Sequence, residues 1–164
     1  MLFRSDVIEQ NVLFTNNVID KCIYNIEYFM GGGAVEAVVR LMKNIEYSNN
    51  ILARSGEGWG MDPGRSASVK GWTHTNKSEN FVIKNNIFFL DKINACDLSA
   101  SRDSWIPKYE GNTYIQKYGN TFTKIGANGP KQYVFLGSTA EDLEKRIGEK
   151  NFSLFYVPAN TEVK

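Results

Sequence analysis

The chain has 164 residues, 42% of them hydrophobic and 23% charged, which is the composition of one globular domain or a short solenoid. The formal net charge is +1 and the Lys and Arg residues are scattered, which argues against a nucleic-acid partner and against binding to an acidic membrane surface. No apolar run approaches the roughly 18 residues needed to cross a bilayer, and no secretory signal is visible.

A short pattern recurs along the chain. Each copy has an asparagine, an apolar run, a pair of asparagines and a second apolar pair. The copies read QNVLFTNNVID, KNIEYSNNILA and ENFVIKNNIFFL, and a fainter one reads YIQKYGNTFTK. The marker asparagines of the four copies, Asn17, Asn50, Asn86 and Asn120, are separated by 33, 36 and 34 residues. Self-similarity at such a period indicates a repeat architecture.

The apolar residues within each copy alternate with a period of two, which predicts strands rather than the helices of other repeats of this length. Val12 and Phe14 in the first copy and Ile45 and Tyr47 in the second are examples. Asparagine suits stacked turns, because its amide both donates and accepts hydrogen bonds and its backbone tolerates a left-handed bend. We therefore expect parallel strands in register, with the four marker asparagines forming a ladder at one corner.

The motifs FTNNVI, YSNNIL and IKNNIF resemble those of right-handed parallel β-helix proteins, the pectate-lyase-like class that includes many polysaccharide lyases and glycoside hydrolases. The resemblance implies an all-β fold over residues 1–126, a single-stranded solenoid with the ladder at the turn between the second and third strands of each coil. With that register, further strands fall at residues 24–28, 68–72 and 95–99.

The last part of the chain, residues 127–164, predicts a C-terminal α/β cap of a strand, a short helix and a strand. The segment STAEDLEKRIG has Ser138 as N-cap with Glu141 three residues later, and Gly148 ends it. Leu143 and Ile147 belong to its apolar stripe. The flanking segments QYVFL and FSLFYV read as strands, and such a cap would cover the open strand edges of a solenoid.

Three charged residues form a candidate catalytic column, since the register places Glu27, Lys70 and Asp97 at equivalent outward positions on successive coils. At about 4.8 Å per coil, Glu27 and Asp97 would be about 9.6 Å apart in backbone, and their side chains could reach the roughly 6.5–9.5 Å spacing of inverting glycosidases. In a lyase, Lys70 would remove the proton beside a uronate carboxylate. The plainer interpretation is that opposite charges stacked on an exposed sheet stabilise it.

Other residues are candidates for the same face. His74, the sole histidine, is a further catalytic candidate, although a turn histidine that bonds its neighbours explains it equally simply. Candidate sugar-binding residues are the indoles, which offer flat apolar faces, and the guanidinium groups, which bind carboxylates. They are Trp59, Trp72, Arg65, Arg102 and Trp105. The alternative is that Trp59 and Trp72 pack under the long loop and that Arg102 pairs with Asp103.

The sequence thus predicts a carbohydrate-active β-helix module that binds a polysaccharide, and cleavage as a glycoside hydrolase or lyase is a further hypothesis. Two alternatives are a non-catalytic structural or glycan-binding end of a longer β-helix protein and a trimeric surface or tail-spike segment. We expect no cofactor and no metal ion, and an extracellular or cell-surface location. Upstream coils or self-association would cover the N-terminal end. Cys22 and Cys96 lack metal-ligand spacing and read as buried thiols, with a disulfide as the alternative.

Overall fold

The described part of the chain forms mainly parallel β-sheets with little helix, in agreement with the predicted all-β class. The computed structural model describes residues 4–5, 10–22, 25–30, 42–54, 67–73, 78–90, 94–99, 107–117, 134–136 and 140–162. Within these ranges the strands belong to three sheets, which we name A, B and C.

Each sheet is built from strands that recur along the chain. Sheet A has the spatial order β1 (Arg4–Ser5), β4 (Ile26–Met30), β7 (Ala67–Thr73), β10 (Asn94–Ser99) and β13 (Val134–Leu136). Sheet B has the order β11 (Lys108–Glu110), β8 (Ser78–Lys84), β5 (Met42–Ser48) and β2 (Gln10–Thr15). Sheet C has the order β14 (Ser153–Val157), β12 (Thr113–Lys117), β9 (Ile87–Leu90), β6 (Ile51–Ala53) and β3 (Val18–Asp20).

The chain visits the sheets in the order B, C, A, and we call each such pass a repeat. Repeats 1 to 4 contain β2–β4, β5–β7, β8–β10 and β11–β13. Strands of consecutive repeats pair in parallel, except that β13 runs antiparallel to β10. Equivalent residues therefore lie in columns, as when Val12 pairs with Ile45 and Ile45 with Phe81. The strands predicted at 68–72 and 95–99 are confirmed as β7 and β10, and the strand predicted at 24–28 corresponds to β4, which lies two residues later.

The inward side chains of the three sheets and the C-terminal helix form one core. Its fully buried members are Ile26, Ile45, Tyr47, Leu52, Val69, Ile83, Phe88, Leu90, Tyr109, Tyr114 and Leu143. The parallel register stacks aromatic rings of successive repeats, because it places like residues above one another. Ring centroids are 5.6 Å apart for Phe14 and Tyr47 and 5.0 Å apart for Phe88 and Tyr114, within the range of favourable ring packing.

The turn from sheet B to sheet C explains the asparagine pairs. The first member of each pair is in the left-handed region, with φ of 59° at Asn16, 55° at Asn49 and 54° at Asn85. Asparagine tolerates this conformation better than most residues. In repeat 4 the position is occupied by Gly111, whose φ is 67°. A Cβ atom there would lie 2.6 Å from Oδ1 at the end of the exposed Asn85 side chain, which would have to shift.

The second member of each pair forms the predicted ladder, which we call the buried ladder. The backbone N–H and the side-chain Nδ2 of Asn17 both donate to Asn50 Oδ1, at 3.0 and 3.1 Å. Asn50 donates in the same way to Asn86 Oδ1, at 2.9 and 3.0 Å. In the opposite direction the N–H of Ile51 donates to the Asn17 carbonyl at 2.8 Å. The prediction for Asn17, Asn50 and Asn86 is confirmed.

The fourth residue of the buried ladder is Asn112, and its predicted assignment to Asn120 is wrong. The N–H and Nδ2 of Asn86 donate to Asn112 Oδ1 at 2.8 and 3.1 Å, and the two residues are 26 apart in sequence. The Asn pair signal fails here because Gly111 replaces the first asparagine, and repeat 4 follows repeat 3 more closely than the earlier spacing suggests. Asn120 lies outside the described residues.

The C-terminal part contains the predicted helix and strands. The helix begins as α1 (Ala140–Asp142), continues as a π-helical turn (Leu143–Ile147) and is followed by Gly148 with φ of 70°, as expected of a glycine terminator. The predicted strands correspond to β13 and β14, and β14 extends sheet C beside β12. Ser138 lies outside the described residues.

Glu149 closes the buried ladder at this end. Its Oε1 accepts hydrogen bonds from the N–H and Nδ2 of Asn112 at 3.0 and 2.9 Å, and so replaces the amide oxygen of a further asparagine. Its Oε2 accepts from the Tyr114 hydroxyl at 2.7 Å.

Candidate functional site

An open groove of about 240 Å³ crosses the outward face of sheet B. It extends over three consecutive repeats, and its lining is partly polar and partly apolar. The lining residues are Asn11, Val12, Leu13, Asn44, Ile45, Glu46, Asn80 and Val82.

The polar side of the groove is a second column of asparagines, which we call the exposed ladder. Asn44 Nδ2 donates to Asn11 Oδ1 and Asn80 Nδ2 donates to Asn44 Oδ1, both at 2.9 Å. All three residues have left-handed backbones, with φ between 53° and 60°, at the start of their strands. An amide has two N–H groups and two acceptor lone pairs, so this ladder leaves further donors and acceptors on each side chain for a ligand.

The apolar side of the groove comes from strand positions that point away from the core. Leu13 is 66% exposed, and its register neighbour in repeat 2 is Glu46, followed by Val82 in repeat 3. One carboxylate thus lies between two aliphatic side chains. Concave sites that combine apolar contacts with a few placed polar groups are typical of ligand-binding sites.

The carboxylate in the groove is ionised. Glu46 Oε2 lies 2.8 Å from Lys84 Nζ, and Ser48 Oγ donates to Glu46 Oε1 at 2.7 Å. The hydrogen bond from Lys84, followed by that from Ser48, lowers the pKa of Glu46 below its ordinary value. Glu46 therefore accepts hydrogen bonds at neutral pH and does not act as a proton donor.

Two other surface carboxylates behave in the same way. The pKa of Asp20 is lowered mainly by its hydrogen bonds from Arg54, whose Nε lies 2.6 Å from Asp20 Oδ1. The pKa of Glu110 is lowered mainly by Lys108, 2.6 Å away. Both groups are ionised at neutral pH, so neither has the raised pKa of a general acid.

Among the described carboxyls, that of Glu149 has a raised pKa and does not line the groove. Glu149 is 3% exposed, and burial raises its pKa more than the hydrogen bonds from Tyr114 and Asn112 lower it. Because this carboxyl is buried at the end of the ladder, we attribute its raised pKa to its structural position.

The predicted catalytic column is in register. Glu27 pairs with Lys70, and Lys70 pairs with Asp97, on the neighbouring strands β4, β7 and β10 of sheet A. Trp72, a predicted sugar-binding residue, lies on β7 between Phe29 and Ser99. The side chains of these residues are outside the described part of the chain, so their roles remain predictions.

The remaining predicted site residues lie outside the described residues. They are Trp59, Arg65, His74, Arg102 and Trp105. The sequence alone assigns no functional role to the exposed ladder. Its pattern is nevertheless visible in the sequence, since Asn11, Asn44 and Asn80 each precede a buried-ladder asparagine by six residues. For the cysteines, the structure buries Cys22, and the Cys96 side chain is not described.

The described residues contain no cluster of three or more His, Cys, Asp or Glu side chains that could hold a metal ion. In the same part of the chain, no helix has the length and apolar character needed to span a membrane.

Comparison with protein families, with curated proteins and with solved structures finds no match for this chain. A function is therefore inferred from the groove and from the repeat geometry. Among the described residues the groove on sheet B offers chemistry for a ligand, and the charged column on sheet A stays a prediction.

Proposed function

We propose that the chain is a polysaccharide-binding module built on a right-handed parallel β-helix of the pectate-lyase-like kind. One observation carries the proposal: three asparagine side chains from three successive repeats line one open groove. The repeated order of sheets B, C and A and the parallel pairing within sheets B and C support the β-helix.

The groove has the chemistry that a sugar chain requires. A sugar ring carries hydroxyl groups at its edge and C–H groups on its faces. Each hydroxyl both donates and accepts, which suits the free donors and acceptors of the exposed ladder. Leu13 and Val82 offer aliphatic contacts for the C–H groups. Since the ladder residues repeat at about 4.8 Å, a linear ligand lying along the stacked repeats meets the same groups several times.

The charges around the groove favour a neutral sugar over a uronate. Glu46 is paired with Lys84, and Lys43 is paired with Glu79 at 2.8 Å beside the exposed ladder. These pairs leave no unpaired cation among the described groove residues to bind a carboxylate, and Glu46 would repel one.

The test is a binding titration of neutral and uronate-containing oligosaccharides with the variant Asn44→Gly. Glycine adopts the left-handed backbone of Asn44 and removes only the amide, which breaks the ladder at its centre. We expect saturable binding of a neutral oligosaccharide by the wild-type chain. Loss of one or two hydrogen bonds should weaken it about tenfold in Asn44→Gly.

The matched control is Ile51→Thr, an exposed residue of the same repeat on the outward face of sheet C. This variant should bind the oligosaccharide as the wild type does. Equal affinity in Asn44→Gly, or binding to none of the sugars, would contradict the proposal, provided that the thermal midpoint shows a folded chain.

Cleavage of a polysaccharide on sheet A is the second candidate function, and the register of Glu27, Lys70 and Asp97 favours it. Glu27 and Asp97 are two repeats apart, which corresponds to about 9.6 Å between backbones. In a hydrolase one would act as acid and the other as base toward water. In a lyase Lys70 would act as the base.

The product distinguishes these reactions. Hydrolysis releases reducing ends, whereas β-elimination leaves an unsaturated uronate that absorbs in the near ultraviolet. Loss of turnover in Glu27→Gln, Lys70→Met or Asp97→Asn, with oligosaccharide binding by the sheet B groove retained, supports cleavage. Unchanged turnover in all three variants rules out this column as the catalytic site.

A further inference from the structure

We propose that the N-terminal edge of sheets B and C binds a parallel strand–turn–strand segment that carries two asparagines six residues apart. This interaction is separate from polysaccharide binding. It follows from the directions of the hydrogen bonds in the two ladders.

The edge strands at this end are β2 in sheet B and β3 in sheet C. Each has a paired neighbour on one side, β5 and β6, within the described residues. Leu13 on β2 is 66% exposed and Val18 on β3 is 71% exposed. An open strand edge presents unpaired backbone donors and acceptors, and peptides bind such edges as an additional strand.

Within the described residues, the buried ladder ends here with an acceptor that has no donor. At each step the N–H and Nδ2 of one asparagine donate to Oδ1 of the asparagine in the next repeat. Asn17 donates to Asn50 in this way, but its own Oδ1 accepts no hydrogen bond from the described residues. An incoming segment that continues the ladder must therefore donate to Asn17 Oδ1.

In the described part of the chain, the exposed ladder ends here with a donor that has no acceptor, because its hydrogen bonds run in the reverse direction. Asn44 Nδ2 donates to Asn11 Oδ1, and Asn80 Nδ2 donates to Asn44 Oδ1. Asn11 Nδ2 donates to no described residue. The incoming segment must therefore accept a hydrogen bond from Asn11 and donate one to Asn17.

The spacing of these two points is fixed by the repeat. The exposed-ladder asparagine precedes the buried-ladder asparagine by six residues in each of repeats 1 to 3. A segment with the pattern Asn-x5-Asn meets both requirements, and its second asparagine also offers a carbonyl to the Val18 N–H, as Asn17 does to Ile51. At the other end of the buried ladder, Glu149 already occupies the place that follows Asn112.

The experiment uses a synthetic peptide with the sequence of residues 42–54, MKNIEYSNNILAR, which contains both asparagines in their natural spacing. The control peptide carries Asn50→Asp, because a carboxylate cannot donate to Asn17 Oδ1 and repels it. Binding is measured by the fluorescence anisotropy of a labelled peptide and by amide hydrogen exchange of the full chain.

We expect saturable binding of the natural peptide, at least about tenfold weaker binding of the control, and slower exchange at residues 12–18. In the chain, Val18→Pro removes the edge N–H and should weaken binding of the natural peptide while a thermal scan shows that the fold is retained.

Several outcomes overturn the proposal. They are equal binding of the two peptides, no binding of either peptide, and protection at β14 instead of β2 and β3. Sedimentation of the chain alone tests whether a second copy of the chain occupies this edge. A self-associated chain that the natural peptide does not dissociate would show that a second copy, rather than an Asn-x5-Asn segment, covers this edge.

Discussion

Both asparagine ladders run through repeats 1 to 3, yet their surroundings leave their amides with different hydrogen-bonding capacity. In the buried ladder, Asn86 is 0% exposed and its side chain takes part in four hydrogen bonds, to Asn50, Tyr47 and Asn112. In the exposed ladder, Asn44 takes part in two, to Asn11 and Asn80. The first amide has no capacity left for a ligand, whereas the second does. Burial therefore decides whether an asparagine column has hydrogen-bonding capacity left for a ligand.

The largest effect should follow from Asn86→Ala. This substitution removes the side-chain acceptor of the buried Asn50 N–H and the side-chain donor to the Tyr47 carbonyl, whereas Asn112 Oδ1 keeps the hydrogen bond from the Asn86 N–H. At about 1–3 kcal/mol for each unsatisfied buried group, we expect the free energy of unfolding to fall by about 4 kcal/mol. Urea titration followed by circular dichroism measures this fall as a lower midpoint.

The control for that experiment is Thr113→Ala, at a partly exposed position on β12 next to Asn112. We expect a change below about 1 kcal/mol for this variant. Equal destabilisation by Asn86→Ala and Thr113→Ala would contradict the structural role of the buried ladder.

A smaller effect, which depends on pH, should follow from Glu149→Gln. Because the folded pKa of Glu149 is raised above 4.5, the folded chain holds this proton more tightly than the unfolded chain. The resulting stabilisation is complete below the unfolded pKa and is lost as the pH rises through the folded pKa. Glutamine keeps the acceptor for Asn112 without the charge, so the stability of the variant relative to wild type should increase as the pH rises from acid to neutral.

Urea titrations of both chains across this pH range provide the measurement, and their difference removes the contributions of Asp20, Glu46 and Glu110. Those three carboxyls have lowered pKa values, so they change stability in the opposite direction. The stabilisation that they contribute is lost as the pH falls. A difference between variant and wild type that does not change with pH would show that the Glu149 carboxyl has the same pKa in the folded and unfolded chains.

The smallest effect on stability should follow from Asn44→Gly, the variant with the largest expected effect on sugar binding. Its two lost hydrogen bonds are exposed to water, and glycine suits the φ of 53°. We expect a loss of less than about 1 kcal/mol in the same urea titration. A loss as large as that of Asn86→Ala would mean that the exposed ladder also holds the fold together.

Much of this fold is readable from the sequence, because two simple patterns encode it. Alternation of apolar residues predicts the strands, and the Asn pairs predict the turn that joins sheets B and C. Asn112 escapes this reasoning because Gly111 meets the backbone requirement that an asparagine meets elsewhere. The role of Glu149 is not predicted either, because a carboxylate replaces an amide oxygen at the end of the ladder and no local sequence pattern indicates this replacement.

The candidate site is less readable. Charge and aromatic rings are the signals of a site that a sequence displays, and they indicated Glu27, Lys70 and Trp72 on sheet A. The groove on sheet B instead depends on neutral amides such as that of Asn44, whose binding capacity appears only when the register places it beside Asn11 and Asn80. The spacing of six residues was visible, but the exposure that separates the two ladders was not.

The most direct test follows the side-chain amide signals of asparagine by ¹H–¹⁵N NMR while a neutral oligosaccharide is added to the chain. The signals of the exposed ladder should shift with one saturable binding curve, and those of the buried ladder should stay in place. The exposed ladder is Asn11, Asn44 and Asn80, and the buried ladder is Asn17, Asn50, Asn86 and Asn112. Shifts confined to backbone signals of sheet A, or shifts in neither ladder, would contradict a sugar-binding role for the groove.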